Sequence, residues 1–516
     1  MKKNFKFLLV SLLAVFGLGS VSAAPLALND AFNNDDYYFV VKTISGTTGT
    51  AYITKVNSSK TGAILLPSSV TISHEGQTYT FSVTGIADAT DATNAAFKSQ
   101  MTLSAVTIPS SYEHIGAYAF YSCSDLATIT FQLNSKLKTI GNEAFATTQV
   151  TEYDFTNCTM LTGLPERAFT ENGDTKLNSY ITKITLPTST AFKTVSTSLA
   201  KLPELTPANL NIKDTKITDV VANAFTKSDK LTALELPGTV KTIAESAFAG
   251  SKVADLTINV DGLGYETATG ILGNVYPTAD KAVLTKLTLK GTLKGVIHGN
   301  AFLDNSAIAD GNLDLSDLNF GTHAAIEANA FGGLDLIKTI TLGDIADNGS
   351  GVYTIQSNAF NGDLLATVNI GNITANNAIG GHAFDDGTST TLTAVKIESI
   401  ISGGTAIADA AFNFAAITTA AEASVEIGTV KATDLANVRS CYASVVMQYV
   451  EDGNAHTATA AVQQKVENWQ TADSSANYTL QGLGDSGTVS ITVPSATSGN
   501  YSVAITSDGS ISVTAG

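Results

Sequence analysis

The stretch LTALELPGTVKTIAESAFAGSKVADLTI, at residues 231–258, holds the two signals that decide the fold. It contains two short apolar–polar–apolar segments, LEL at 234–236 and LTI at 256–258. Alternation with a period of two predicts a short strand with one buried face. Between the two segments lies an Ala–Phe pair ending at Phe248, with Ile243 five residues before it. The stretch therefore passes from one strand through a turn to the next strand.

This combination recurs along the chain, and the recurrence predicts a repeat protein. Most steps between successive phenylalanines are 23 to 29 residues, and an aliphatic residue stands five positions before each. Two steps, of 56 and 54 residues, each contain a degenerate unit: Val195 with Ala200, and Ile271 with Tyr276. Phe97 begins the series without an aliphatic residue in register, which makes thirteen units in all. The regular phenylalanines are Phe120, Phe145, Phe169, Phe225, Phe248, Phe302, Phe331, Phe360, Phe384 and Phe412.

Each unit also contains one predicted strand. A unit of this size cannot bury its apolar face alone, so we expect the units to stack and to form one continuous core. Stacked strands become neighbours in a parallel sheet, about 4.8 Å apart, and the phenylalanines close the core on the opposite side. The predicted strands are 106–109, 129–131, 153–155, 184–187, 210–212, 234–237, 256–258, 287–289, 313–315, 340–342, 368–370, 395–397 and 425–427.

As it stands at 231–258, the unit resembles the BspA-like leucine-rich repeat of bacterial secreted and surface proteins. The pattern of that family looks like L-x-x-I-x-I-P-x-x-V-x-x-I-x-x-x-A-F-x-x-C-x-x-L, and the likeness covers about residues 86 to 428. The resemblance implies an α/β-type leucine-rich repeat solenoid. Its parallel β-sheet would form one face, with short helices or turns opposite.

The N-terminal residues 1–23 are interpreted as a secretory signal peptide. Lys2, Lys3 and Lys6 form a positive segment, an apolar segment too short to span a bilayer follows, and cleavage is expected after Ala23. We therefore expect a protein that is secreted or held at the cell surface, with the periplasm left open. No later apolar segment is long enough to span a membrane.

Two further parts flank the predicted solenoid at 86–428. Residues 24–85 are predicted to form an N-terminal β cap that covers the first core layer. Its strands are expected at 37–44, 51–56 and 78–83, with a hairpin turn at 75–77. Residues 429–516 are interpreted as a C-terminal cap and a small β module. A helix is expected at 434–450, and strands at 487–493, 501–506 and 510–514 with a hairpin at Asp508–Gly509.

The charge of the chain restricts its partners. The formal net charge is −17, and loss of the three signal-peptide lysines brings it to −20. Nucleic acids and anionic membranes need clustered Lys and Arg, so we expect neither as a partner. A basic patch on an extracellular protein would be favoured by the long-range field. We expect a monomer.

No motif for catalysis or for a cofactor stands out. Cys123 is interpreted as a buried residue that fills a turn. The histidines inside the repeats occupy different repeat positions, so stacking does not gather them around a metal ion. GLGDSG at 482–487 matches a dinucleotide motif only formally, because it lacks the strand before and the helix after. DGNLDLSDL at 310–318 has acids at the wrong spacing for calcium. We expect no cofactor and no metal.

The middle residue of each predicted strand points away from the core, and these residues form the candidate ligand-facing row. Threonine is frequent in it, which fits either a hydrogen-bonding surface or the ordinary preference of exposed strands for β-branched residues. The strand row is Thr107, Thr130, Asp154, Thr185, Asn211, Glu235, Thr257, Thr288, Asp314, Thr341, Asn369, Lys396 and Glu426.

Three functions are compatible with these observations. The resemblance implies a non-catalytic binding or adhesion module for proteins or glycans, with host matrix proteins or other cells among the possible partners. A structural spacer of the cell envelope is the main alternative. A solenoid enzyme acting on polysaccharide is disfavoured, because a glycosidase pair needs carboxylates about 5–9.5 Å apart. No two acids of the strand row stand on adjacent or next-adjacent strands.

Overall fold

The computed structural model describes residues 25–515, except 57–58, 99, 174–176, 265–269, 347–348, 350, 363, 385–391, 393, 401–405, 409–410, 413–423, 428–437, 439, 445–453, 462–476, 484–488, 495–499 and 507–509. The predicted signal peptide therefore lies outside the described residues. Within the described part of the chain, no helix is long and apolar enough to cross a membrane. Short strands, most of them paired in parallel, dominate the structure.

The N-terminal segment is rich in strands, including the three that the sequence predicts. The hairpin predicted at residues 75–77 is present, because His74 pairs with Gln77. Glu75 and Gly76 both have positive φ angles, which a two-residue hairpin turn with the twist of the sheet requires. The strands of this segment are Ala31–Asn33, Tyr37–Ser45, Thr48–Val56, Gly62–Leu65, Ser69–His74 and Gln77–Ile86.

The predicted repeat strands stack in parallel and form the first ladder. Strand Gly62–Leu65 of the N-terminal segment pairs with its first member, so this segment supplies an additional strand to the ladder. Residues 210–212 were predicted to form a strand, and this prediction was wrong. Only Leu210 forms an isolated bridge, to Ile184. The first-ladder strands are Leu103–Ile108, Thr128–Phe131, Glu152–Asp154, Lys183–Thr185, Ala233–Leu236, Asp255–Asn259, Lys286–Leu293, Leu313–Asp314, Thr339–Leu342, Thr367–Ile373, Ala394–Ile400 and Ser424–Ile427. A further short strand, Leu318–Phe320, pairs with the end of Lys286–Leu293.

A second parallel ladder passes through the aliphatic residue five positions before each phenylalanine. The sequence predicts only a turn here, since two-residue strands are too short to show periodicity. The N-terminal segment joins this ladder as well, because Ile86 pairs with Ile115. Its strands within the repeats are His114–Ile115, Thr139–Ile140, Thr194–Val195, Asp219–Val220, Thr242–Ile243, Gly270–Ile271, Val296–Ile297 and Ala325–Ile326.

The phenylalanines form stacked columns inside the solenoid. Ring centroids of neighbours lie 4.7 Å apart for Phe97 and Phe120, and 5.0 Å apart for Phe248 and Tyr276. Tyr276 therefore occupies the phenylalanine position, as predicted. Five short 3-10 helices lie among the described residues: Ala92–Asn94, Thr197–Leu199, Pro207–Asn209, Ile212–Asp214 and Thr278–Asp280. The side of the solenoid opposite the first ladder consists mainly of turns.

The other degenerate unit places Leu199, and not the predicted Ala200, in the phenylalanine column. In the regular unit at Phe120, the amide two residues later, of Ser122, donates to the carbonyl of Ala146 in the next turn. The amide of Lys201 donates to Thr226 in the same way, which makes Leu199 the counterpart of Phe120. Leu199 is buried. The prediction of Ala200 was wrong because the column position follows Val195 by four residues in this unit, and not by five as in the regular units.

The C-terminal region contains antiparallel strands, unlike the repeats. Residues 438 and 440–444 are helical, within the segment predicted as a helix. Strands flank the predicted hairpin at Asp508–Gly509 and the GLGDSG segment. The expected absence of a strand before GLGDSG was therefore wrong, because Asn477–Leu483 precedes it. Asp508–Gly509 and most of GLGDSG lie outside the described residues. The strands are His456–Ala461, Asn477–Leu483, Val489–Pro494, Asn500–Ile505 and Ile511–Ala515. The four part boundaries stay predictions.

Candidate functional site

The structure brings the strand row together as neighbouring residues of the first ladder. Parallel pairing sets Thr107 beside Thr130, and Asp154 beside Thr185. A second continuous run joins Glu235, Thr257, Thr288 and Asp314 in that order. A third joins Thr341, Asn369, Lys396 and Glu426. An isolated bridge between Leu315 and Leu342 aligns the second run with the third.

Alternation along each strand determines the orientation of the row. In Thr339–Leu342, Ile340 and Leu342 are buried whereas Thr339 and Thr341 are exposed. The members Thr130, Asp154, Asp314, Thr341 and Lys396 are exposed, and Thr107, Thr185, Asn211, Glu235, Thr257, Thr288 and Asn369 are partly exposed. Glu426 is in register in the last strand, but its side chain lies outside the described part of the structure.

Two acids of the row close turns at the ends of their strands. Asp154 accepts a hydrogen bond from the amide of Thr156 at 2.9 Å, and Asp314 accepts one from the amide of Ser316 at 3.1 Å. A short polar side chain that accepts from the amide two residues later stabilises such a turn. These carboxylates therefore have a structural role within their own chain segments.

Three other acids on or near the row pair with lysines of the ladder. Glu235 lies 2.8 Å from Lys290, which is two strands away in the ladder. On the other side of the strand row, Lys286 lies 3.0 Å from Asp255 and Lys183 lies 3.5 Å from Glu152. Exposed pairs of this kind stabilise a fold only slightly. They do balance the charge of these three carboxylates locally.

These lysines do not follow from the middle residue of each strand, which alone defines the strand row. Lys183 and Lys286 stand two residues before that position, and Lys290 stands two residues after it. Side chains two apart on a strand share a face. Strand register then decides which acid each lysine meets. All outward-facing positions of each strand, including those two residues before and after the middle one, would therefore have indicated these lysines.

Asn211 differs from the other members of the row. Its side-chain Oδ1 accepts a hydrogen bond from the amide of Leu186 at 2.7 Å, and its Nδ2 donates to the carbonyl of the same residue at 3.0 Å. The amide group thus replaces the backbone pairing that is missing where residues 210–212 fail to form a strand. It holds two layers of the solenoid together.

The cysteines lack the features of reactive thiols. Burial raises the pKa of the Cys123 thiol to about 12, and Cys123 donates a weak hydrogen bond to the carbonyl of Phe97. Burial also raises the pKa values of Cys158 and Cys441 to about 12. All three are free and buried. Among the residues that the structure describes, no group of three or more His, Cys, Asp or Glu side chains is arranged to hold a metal ion.

The repeats match a known family. The BspA type leucine rich repeat region matches residues 90–206, 204–266 and 284–427, in six copies. No curated protein matches the chain. Similar solved structures include a leucine rich cell surface protein from Faecalibacterium prausnitzii, at 19% identity and a TM-score of 0.30 over 74% of this chain and 96% of that one. A leucine-rich repeat protein from Bacteroides ovatus is similar at 17% identity and a TM-score of 0.33, over 71% and 94%.

Proposed function

The chain belongs to the BspA-type leucine-rich repeat proteins, and we propose that it is a non-catalytic binding module that attaches to an extracellular protein or glycan. Attachment uses the strand row on the first ladder. The supporting observation is the register of that row, which sets polar side chains side by side over consecutive strands from Glu235 to Lys396.

Such a row suits binding at many points. Each intermolecular hydrogen bond contributes only about 0.5–1.5 kcal/mol. Side chains on a stacked parallel sheet are already ordered, so binding costs little conformational entropy. Several weak contacts at a fixed spacing therefore add up for a ligand that is itself long or repetitive. A matrix protein or a glycan has this property.

The ion pairs alter the electrostatic expectation for the partner. The net charge of the chain favours a basic partner at long range. Glu152, Asp255 and Glu235 are already paired with lysines, however. The contact itself thus relies more on threonine and asparagine hydrogen bonds than on charge, and its affinity should depend weakly on ionic strength.

The proposed location is outside the cell or on its surface, as the family indicates and as the expected signal peptide would require. A non-catalytic role agrees with the use of the row's acids. Asp154 and Asp314 close turns, and Glu235 pairs with Lys290. None of these three carboxylates lies beside another acid of the row, as a glycosidase pair would need.

The test is a binding screen of the mature chain against immobilised matrix proteins and glycans, followed by a triple variant. Thr257→Val, Thr288→Val and Thr341→Val remove three hydroxyls and keep the β-branched shape. The matched control is Thr139→Val, Thr194→Val and Thr242→Val in the second ladder. We expect the first triple variant to lose about tenfold or more in affinity and the control to bind as the wild type does.

A spacer of the cell envelope remains the alternative function. A spacer would retain none of the immobilised partners saturably. A ligand that binds both triple variants equally well would contradict the strand row as the site, although not the binding function. The two outcomes are distinguishable in the same experiment.

A further inference from the structure

The first three regular Ala–Phe turns carry side chains that depart from the rest of the solenoid. The residue two before the phenylalanine has a φ angle between +51° and +64° in most turns, a conformation that Asn tolerates better than other non-glycine residues. Tyr118 and Glu143 hold this position in two consecutive turns. The described residues that have this conformation at this repeat position are Tyr118, Glu143, Asn223, Ser246, Asn274, Asn300, Asn329, Asn358 and His382.

These two residues belong to a group that we call the tyrosine cluster: Tyr118, Tyr121, Glu143, Arg167 and Glu171. The rings of Tyr118 and Tyr121 meet edge to face, with centroids 5.8 Å apart. The hydroxyl of Tyr121 donates to Glu171 Oε1 at 2.7 Å, and this bond raises the pKa of Tyr121 to about 12. The cluster therefore extends over three consecutive turns and is held by its own contacts.

Glu143 is the buried member of the cluster. Only 6% of its side chain is exposed, against 29% for Arg167. Its Oε1 lies 3.5 Å from Arg167 Nε and accepts a long hydrogen bond, also 3.5 Å, from the Tyr118 hydroxyl. A buried carboxylate needs such partners. Glu143 thus holds the guanidinium group in place beside the tyrosine.

Arg167 has hydrogen-bonding capacity that the protein does not use. A guanidinium group has five N–H donors. One, on Nη1, donates to Asn172 Oδ1 at 3.0 Å. Another, on the buried Nε, lies 3.5 Å from Glu143 Oε1 as an ion pair and has no hydrogen-bond partner among the described residues. The remaining three N–H groups have no hydrogen-bond partner among the described residues. The Arg167 side chain as a whole is 29% exposed, and Glu171, which accepts from Tyr121, follows it by four residues.

We propose that the tyrosine cluster is a saccharide-binding site that takes one neutral hexose unit. The hydroxyls of a sugar both donate and accept, so they match the N–H groups of Arg167 together with the carboxylate of Glu171. Tyr118 supplies an apolar ring surface for the C–H face of the sugar. The guanidinium group repels a cationic ligand, and the two carboxylates repel an anionic one. The site lies on the turns and is independent of the strand row.

The test uses the mature full-length chain and four free sugars: D-glucose, D-galactose, D-mannose and N-acetyl-D-glucosamine. Saturation-transfer NMR titrations measure their binding. A single sugar has few atoms, so we expect at least one of them to bind saturably with a dissociation constant in the millimolar range. The absence of saturable binding by all four would overturn the proposal.

Two variants then locate the site. Tyr118→Asn removes the ring and the hydroxyl bond to Glu143 but introduces the residue that other turns use in this conformation, so the protein should still fold. Glu171→Gln keeps the shape and removes the charge. Each should weaken binding about tenfold or more. The control Tyr180→Asn changes an exposed tyrosine outside the cluster and should have no effect. Unchanged binding by both cluster variants would contradict the site.

The strand-row triple variant separates this proposal from the proposed function. It should bind the sugar as the wild type does, because Thr257, Thr288 and Thr341 lie on the first ladder and the cluster lies on the turns. Loss of sugar binding in that variant would place the sugar on the strand face and overturn the proposal. Failure of the strand row to bind a partner would leave the sugar titrations unaffected.

Discussion

The ring of Phe331 lies almost parallel to that of Phe360, at an interplanar angle of 7° and a centroid distance of 4.9 Å. The same relationship links Phe360 to Phe384 and Phe384 to Phe412. The centroid distances, 4.9 to 5.4 Å, are close to the spacing of neighbouring strands. The phenylalanine column and the strand ladders therefore repeat with one period, and neither has to distort to fit the other.

Truncation of a ring inside this column should be costly. Phe331 is fully buried between Phe302 and Phe360. We expect Phe331→Ala to lower the free energy of unfolding by about 3–5 kcal/mol, through lost burial and the cavity left behind. Phe331→Leu should cost less than half as much, since Leu199 already fills this position in one turn. Denaturant unfolding monitored by circular dichroism measures both, and equal costs would contradict the role of side-chain volume.

Gly141 permits a close approach between two consecutive turns. A Cβ atom at this position would lie 2.2 Å from the amide nitrogen of Ala117 and 2.5 Å from its Cα. Backbone cannot move aside as a flexible side chain can, so we expect Gly141→Ala to destabilise the protein by about 3 kcal/mol. Gly163→Ala is the control, because its Cβ would meet no atom closer than 4.0 Å. Thermal unfolding compares the two, and a stable Gly141→Ala protein would show that the turns can separate.

The sequence predicts the repeat core well because that core is made of residues that recur. The regular phenylalanines, the aliphatic residues before them and most first-ladder strands follow from spacing alone. Prediction fails where the spacing changes. Ile86 and Phe97 belong to the same layer, since Ile86 pairs with Ile115 and Phe97 stacks on Phe120. They are eleven residues apart and not five, and the 3-10 helix Ala92–Asn94 lies in the added length.

The candidate site is less predictable than the core. A strand pattern shows that Glu235 points outward, but only the register shows that Lys290, 55 residues later, reaches it. The pattern likewise assigns Asn211 to the row, whereas its amide bonds to Leu186. Outward direction is a local property of a strand. The partner of an outward side chain is a property of the stacked layers and cannot be deduced from one unit.

The buried thiols should make the protein less stable in alkaline solution. Burial raises the Cys123 pKa from an ordinary value of 9.0 to about 12. The unfolded chain then loses its proton at lower pH than the folded protein does, so this contribution is complete below pH 9 and is lost as the pH rises towards 12. The free energy of unfolding should fall by up to about 1.4 kcal/mol per pH unit for each thiol.

Denaturant unfolding across this pH range, with Cys123→Ala as the control, isolates the thiol from the buried tyrosines. The variant should show a shallower decline than the wild type. Alkylation of the native protein gives an independent check, and we expect Cys123 to react only after unfolding. Rapid labelling of the native protein would show that the thiol is accessible.

Two asparagines of the strand row should respond differently to the same substitution. Asn211→Ala leaves the amide and the carbonyl of Leu186 without their partner in a buried position, and we expect a loss of about 1–3 kcal/mol in the free energy of unfolding. Asn369→Ala removes only an exposed hydrogen bond to Thr341 Oγ1, and the change should stay within about 0.5 kcal/mol. If the strand row binds the ligand, Asn369→Ala should weaken binding without weakening the fold. Equal losses of stability in the two variants would mean that water replaces the Asn211 amide at no cost. The Asn211 side chain would then not be needed to replace the backbone pairing that is missing at 210–212.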